Sequence, residues 1–168
     1  TRQVEDADGA RFALVTSGGE YRARHVVLAV GVAEPWMPPT PGIELAGSYA
    51  QVQPAEAYRG QRVLIIGKQN SGFELANGLL PWARSIALVS PSPVSLSVVT
   101  RTLVGVRARY LQPFEDAMLG GGVTILDASL ERIQRTVDGA LAVHLQRADR
   151  AQALVAEVDS VIAATGFQ

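Results

Sequence analysis

The stretch "VLIIGKQNSGFELANGLL" (63–80) sets two glycines, Gly67 and Gly72, around the polar run Lys68, Gln69, Asn70 and Ser71. An apolar run reaches the first glycine, a short polar loop follows, and a helix-like run begins. A helix N-terminus offers unpaired amide groups and the positive end of its dipole, so a loop of this kind suits a phosphate. In the G-x-G-x-x-G fingerprint the first glycine makes the turn and the second lets the backbone approach a pyrophosphate. The third lets helix and strand pack closely. Gly67 and Gly72 fill the first and third places, and Gln69 fills the second. Its side chain either blocks a pyrophosphate or hydrogen-bonds to it. Asn70 and Ser71 are capping residues and phosphate donors. Glu74, in the first helical turn, either complements the dipole or meets a ligand. A tight strand-to-helix turn without any ligand would also use the two glycines.

The next strand ends at Ser90, twenty-three residues after Gly67. An acidic residue there would accept the adenosine ribose hydroxyls and favour NADH, and an arginine would favour the 2′-phosphate of NADPH. The sequence offers "SPSP" instead. Ser90 and Ser92 can donate to a phosphate, and Arg101, Arg107 or Arg109 could fold back onto one. The same arginines also suit a solvated helix face. NADPH is weakly preferred over NADH on this reading.

The elements around this loop alternate. Residues 62–66 read as a buried strand, 71–80 as a helix and 85–89 as a second buried strand, which makes a βαβ unit and implies a parallel sheet. Residues 103–118 carry apolar side chains at helical spacing, with Pro113 expected to kink or split the helix. Gly120, Gly121 and Gly122 stop it, and 123–126 supply a third buried strand. Residues 130–136 and 140–146 alternate around Asp138-Gly139, a hairpin signal. A short strand at 154–157 and a last apolar run, "SVIAATG" (160–166), complete a small antiparallel meander and a returning strand. Upstream, 12–16 and 21–30 read as a hairpin around Ser17-Gly18-Gly19. "VAEPWMPPTPG" then forms a stiff, proline-rich connector. A turn of helix is expected near 54–58. The fold class is therefore α/β, a Rossmann-like parallel sheet with helices and an antiparallel layer, preceded by a β-hairpin.

Composition narrows the chemistry. A hydrophobic content of 48% with 18% charged residues describes a folded protein with a real core. The net charge of −1 gives no basic stripe for nucleic acid. No run has the length of a transmembrane helix and nothing at the start resembles a signal peptide, so a cytoplasmic protein that keeps clear of membranes is expected. The absence of cysteine removes disulfides, thiolate nucleophiles and thiolate metal sites together. His25 and His144 stand far apart without a ligand pattern, so no metal site is expected. Fourteen arginines accompany a single lysine, Lys68. Leu64 stands where a Tyr-x-x-x-Lys pair would need tyrosine, and there is no G-x-S-x-G elbow. No residue is expected to act as a catalytic acid, base or nucleophile.

With the loop placed, the chain resembles the two-dinucleotide-binding-domain flavoproteins, which include pyridine nucleotide-disulfide oxidoreductases and flavin-dependent monooxygenases. "HVVLAVG" followed by "PPTPG" resembles their first Ala-Thr-Gly segment, with Val30 in the usual place of threonine. "VLIIGKQNSGFELA" is similar to their second nucleotide motif at Gly67, Asn70, Ser71, Gly72, Glu74 and Ala76. "VDSVIAATGFQ" is similar to the closing segment at Asp159, Val161, Ile162, Ala164, Thr165, Gly166 and Phe167. The resemblance implies an NAD(P)H-binding domain inserted into a FAD-binding domain, with 29–31 and 164–166 as the crossings. It implies FAD in the full-length protein and hydride delivery to a flavin this chain does not itself hold. Residues 1–50 are then a flanking piece of the FAD domain and 51–168 the NAD(P)H-binding domain. The apolar surface of 1–50, cut from its partner, would favour a homodimer.

Within that superfamily the lack of cysteine argues against low-mass thioredoxin reductases, which the resemblance places with a CxxC in this domain. "LAGSYAQ" (45–51) is similar to the F-x-G-x-x-x-H of certain flavin monooxygenases only at Gly47, with Leu45 and Gln51 departing from it. The competing reading is a Rossmann-like module whose site has drifted, with Gln69 blocking the pyrophosphate and the domain serving binding or regulation.

Overall fold

In the computed structural model, residues 2–3, 11–29, 31, 34–94, 96, 104–147 and 153–167 are described, with the side chains of 2–3 and 104–109 left aside. The chain divides into two units, residues 1–33 and 34–168.

The first unit is a three-stranded antiparallel sheet of β1 (Arg2–Gln3), β2 (Phe12–Thr16) and β3 (Gly19–Ala23), in the order β1-β2-β3. Thr16 pairs with Gly19 across the turn, where Gly19 takes φ +124°. The return strand is shorter than the 21–30 expected from its apolar run. β2 begins at Phe12 opposite Ala23, and a strand extends only as far as a neighbour answers its hydrogen bonds. Beyond Ala23, Val27 and Leu28 are 87% and 80% exposed.

The second unit is built on a seven-stranded sheet. Its strands are β4 (Gly47–Ser48), β5 (Arg62–Ile66), β6 (Ser85–Ser90), β7 (Val123–Arg135), β8 (Leu141–Arg147), β9 (Ala153–Val158) and β10 (Ser160–Ala163). The order is β4-β10-β5-β6-β7-β8-β9, parallel from β4 through β7 and antiparallel from there to β9. Helices α1 (Asn70–Leu79) and α2 (Val104–Met118) complete it. The parallel strands are apolar at almost every position because both of their faces are covered. Val63, Ile65, Ile86, Leu88 and Ile162 join one core with Phe73, Ala76 and Leu79 of α1. Their alternates Leu64, Ile66, Val89 and Val161 join a second core with Ile133, Leu141, Val143 and Leu145 of the meander. Period-two alternation thus feeds two cores instead of a core and solvent.

In this unit two elements differ from the sequence expectation. Residues 123–126 and 130–136 belong to one long strand, β7, whose first part pairs with β6 and whose remainder pairs with β8. Ala128 passes directly from one neighbour to the other by pairing with Arg147, so no loop is needed; a register irregularity between Leu130 and Arg132 follows. Helix α2 runs unbroken through Pro113, whose ring is fully buried. Its missing hydrogen bond is offset by that packing. The glycines after α2 have separate duties. Gly120 adopts φ +75° and ends the helix. A Cβ on Gly121 would lie 2.3 Å from the Asp116 carboxylate, which accepts a hydrogen bond from the Val123 amide at 3.0 Å.

Candidate functional site

The turn from β5 into α1 is fixed by two backbone contacts. Gly67 has φ +124°, and a Cβ there would lie 2.3 Å from the carbonyl oxygen of Ala164. Its amide donates to Val89 O at 2.8 Å, and the Ala164 amide donates to Ile66 O at 2.8 Å. The loop is therefore clamped between the ends of β6 and β10. A Cβ on Gly72 would lie 2.2 Å from Gly67 O, with Leu88 Cδ2 at 3.4 Å behind it. Neither glycine admits a side chain, because what it would meet is backbone. Gln69 differs. Its φ of −102° and ψ of −168° suit any residue, and its side chain is exposed and makes no capping hydrogen bond to α1. Nothing in the backbone requires glycine at 69; the side chain matters only for what approaches from the front.

In front lies a cleft of about 630 Å³ at the C-terminal edge of the parallel strands. Open α/β sheets bind ligands at this edge. Gly67, Gln69, Asn70 and Ser71 line it from the turn, Ser90 and Ser92 from the end of β6, and Ala164, Thr165 and Gly166 from the end of β10. Gly72 sits behind the turn, buried against Gly67. Glu74 is exposed on α1; its charge, after burial, is the second cause that raises the Tyr49 phenol above its ordinary pKa. Arg101 lies outside the described residues, as do the side chains of Arg107 and Arg109.

The opposite wall is the proline-rich segment. The Trp36 amide donates to Gly166 O at 2.9 Å, Thr165 Oγ1 donates to Trp36 O, and Pro35 bridges Phe167 in antiparallel fashion. Trp36, Pro38 and Thr40 thereby face the cleft. Residues 35–40 and 165–167 run together as a pair of straps over the end of β10.

At the far end of the cleft the Ser90 hydroxyl donates to Ser92 O at 3.2 Å. Lys68, the residue after Gly67, is fully buried, and its ammonium forms an ion pair with Asp127 of β7. Lys68 lines the cleft, and the Asp127 side chain is 51% exposed. Asp127 is registered beside Ser90. Sequence reading missed this pair. The only available signal was that the single lysine of the chain falls inside the glycine turn; its partner lies on another strand. Two motif residues turn out to hold structure together at other places. Asp159 pairs with Arg62 at 2.7 Å at the start of β5 and β10, and also accepts the Arg62 amide at 2.7 Å. These bonds, the side-chain one first, hold its carboxyl down at about 2. Gln51 spends its side chain on the Ser48 amide at 3.0 Å.

Residues 2–168 match the family model for pyridine nucleotide-disulphide oxidoreductases. The chain belongs to that family. It is 29% identical over 174 aligned residues to the ferredoxin–NADP reductase of Thermus thermophilus, covering 96% of this chain and 48% of that protein. It is 36% identical over 109 residues to FAD-dependent oxidoreductase domain-containing protein 2 of Danio rerio, covering 63% of this chain and 16% of that one. Among solved structures, the bacillithiol disulfide reductase of Bacillus cereus superposes with a TM-score of 0.66 at 20% identity, over 99% of this chain and 49% of that one. The thioredoxin reductase of Lactococcus lactis superposes with a TM-score of 0.65 at 17% identity, over 98% and 51%. These likenesses show the fold. The chain spans about half or less of the length of each of these relatives. The family is one of flavin-dependent pyridine-nucleotide oxidoreductases. No helix among the described residues is long and apolar enough to cross a membrane.

Proposed function

We propose that this chain is the NAD(P)H-binding part of a FAD-dependent oxidoreductase, and that it presents the dinucleotide to a flavin held by a neighbouring domain. The observation that carries this is the glycine-walled turn. Gly67 and Gly72 are each excluded from any larger residue by backbone within 2.3 Å, which brings the start of α1 against the cleft. The Gln69 side chain makes no capping hydrogen bond to α1, and the start of the helix, with the positive end of its dipole, faces the place a pyrophosphate needs. Asn70 and Ser71 add side-chain donors. The straps at 35–40 and 165–167 then lie at the nicotinamide end, over β10, beyond the point where the strand order reverses.

A reduced nicotinamide bound there supplies a hydride to the flavin, and the protein's own share is to hold, orient and exclude water. The FAD is assigned to the neighbouring domain because the chain spans 48% of the Thermus relative and Val27 and Leu28 stand exposed. The same exposed residues favour self-association of the chain on its own. Ser90 and Ser92 are the residues that speak for NADPH; the Ser90 hydroxyl, however, already donates to Ser92 O.

The second reading, a drifted module, draws on Gln69, whose exposed side chain faces the cleft where the fingerprint has glycine. Calorimetric titration with NADH and NADPH, of the chain and of Gln69→Gly, separates the two. Saturable one-site binding by the unaltered chain is expected. Binding by Gln69→Gly alone would favour the drifted module, and silence from both chains would contradict the proposal.

A further inference from the structure

The end of β6 carries no acidic residue, yet the fold brings one there. Asp127 lies at the same level of the sheet as Ser90, on the adjoining strand. In parallel neighbours, side chains at matched positions point to the same face, so the Asp127 carboxylate stands beside the position from which an acid at 90 would act. That is the position from which an acidic side chain accepts adenosine ribose hydroxyls in a βαβ dinucleotide site. Lys68 connects this carboxylate to the phosphate turn. It follows Gly67 directly, is wholly buried, and reaches Asp127 with its ammonium.

The two charges are not equally available. The ammonium has no exposed surface, whereas half of the Asp127 side chain is exposed. Asp127 lines a second cavity, next to the cleft, and the two cavities share Pro91. A ligand that crosses the end of β6 toward β7 meets the exposed carboxylate, since the ammonium has no exposed surface; Arg147 lines the same second cavity. A ribose diol can donate to the carboxylate. A 2′-phosphate would be repelled at short range, and the buried lysine could reach it only by leaving its partner. The Ser90 hydroxyl is already donated to Ser92 O, which leaves it a poor donor for such a phosphate.

We propose that Asp127, supplied from β7 and held by Lys68, is the ribose-hydroxyl acceptor of this site and makes the chain select NADH over NADPH. Asp127 is the specificity residue and Lys68 the positioning residue. The proposal rests on the NAD(P)H-binding reading above and adds the choice of cofactor to it.

The test is calorimetric titration with NADH and NADPH of the 168-residue chain, of Asp127→Ser, and of the double variant Lys68→Met, Asp127→Ser. The double variant removes both charges and so avoids an unpaired buried ammonium; thermal melts establish that each variant is folded. The unaltered chain is expected to bind NADH about tenfold more tightly than NADPH, the worth of one hydrogen bond to a charged acceptor. Both variants are expected to lose that ratio, with NADH weakened by about tenfold and NADPH unchanged or strengthened. A purely structural pair would weaken both cofactors alike and leave the ratio intact. A preference for NADPH in the unaltered chain, or an unchanged ratio in the double variant, overturns the selection proposal while the dinucleotide-binding reading stands. No binding of either cofactor by any of the three proteins overturns both.

Discussion

The two ends of the cleft are made in different ways. At the turn after β5, six consecutive residues supply the whole device: Gly67 and Gly72 meet backbone within 2.3 Å, and α1 begins between them. At the end of β6 the chemistry is assembled from Lys68 in the turn, Ser90 on β6 and Asp127 on β7. The first end is local and sterically absolute. The second is non-local and electrostatic. If the dinucleotide lies as proposed above, the cleft can keep its phosphate end while its ribose end changes partners, because the two ends share only the buried Lys68 side chain.

Steric and electrostatic ends should fail differently when altered. The largest effect is expected from Gly72→Ala, whose Cβ would meet Gly67 O at 2.2 Å. The Gly67 carbonyl is backbone and cannot yield as a flexible side chain would, so a loss of about 3 kcal/mol in urea denaturation, together with loss of dinucleotide binding, is expected. Full stability in this variant would break the steric half of the comparison. Asp127→Asn should come next, at about 2 kcal/mol. That lies below the figure for a fully buried pair, because half of the carboxylate side is exposed while the ammonium is not. A loss within about 0.5 kcal/mol would show that Lys68 finds water or another partner.

Gln69→Gly should cost only about 0.5–1 kcal/mol, since φ −102° gains nothing from glycine and the unfolded chain becomes more flexible. Its affinity for NADH should rise by titration, which would sharpen the contrast between a glycine required by backbone and one that is only convenient. The smallest effect belongs to the far edge of the sheet. The Asp159 carboxyl is held at about 2 by Arg62, below its ordinary 3.8. A depressed carboxyl stabilises the fold above its unfolded pKa, and that contribution is lost as pH falls from about 4 to about 2. Denaturation midpoints of the chain should drop over this window more steeply than those of Asp159→Asn. Parallel curves would remove the Arg62 bond from the account.

The same contrast explains what the sequence revealed. The βαβ core, the glycine turn and the hairpin around Asp138-Gly139 were legible because each is written in neighbouring residues: alternation, a steric requirement, a turn type. Residues 62–66 were placed without error, and α1 was displaced by one position. Three things escaped because they depend on neighbours in space. β7 reads as two strands until β6 and β8 are seen to answer it in succession. The 21–30 run reads as one strand until β2 is found to end opposite Ala23. Lys68 and Asp127 stand 59 residues apart, and no local pattern joins them. Asp159 and Gln51 show the reverse case, motif positions whose side chains are spent on Arg62 and Ser48.

The central claim is that a dinucleotide lies across the β5–α1 turn with its phosphates against the start of α1. Titrating an isotope-labelled chain with NADH while following its backbone amides by NMR tests this most directly. Saturable shifts are expected at Gly67 to Gly72 and at Ala164 to Gly166, with the amides of β2 and β3 unmoved. Shifts confined to other elements, or a spectrum indifferent to saturating NADH and NADPH, would contradict the account.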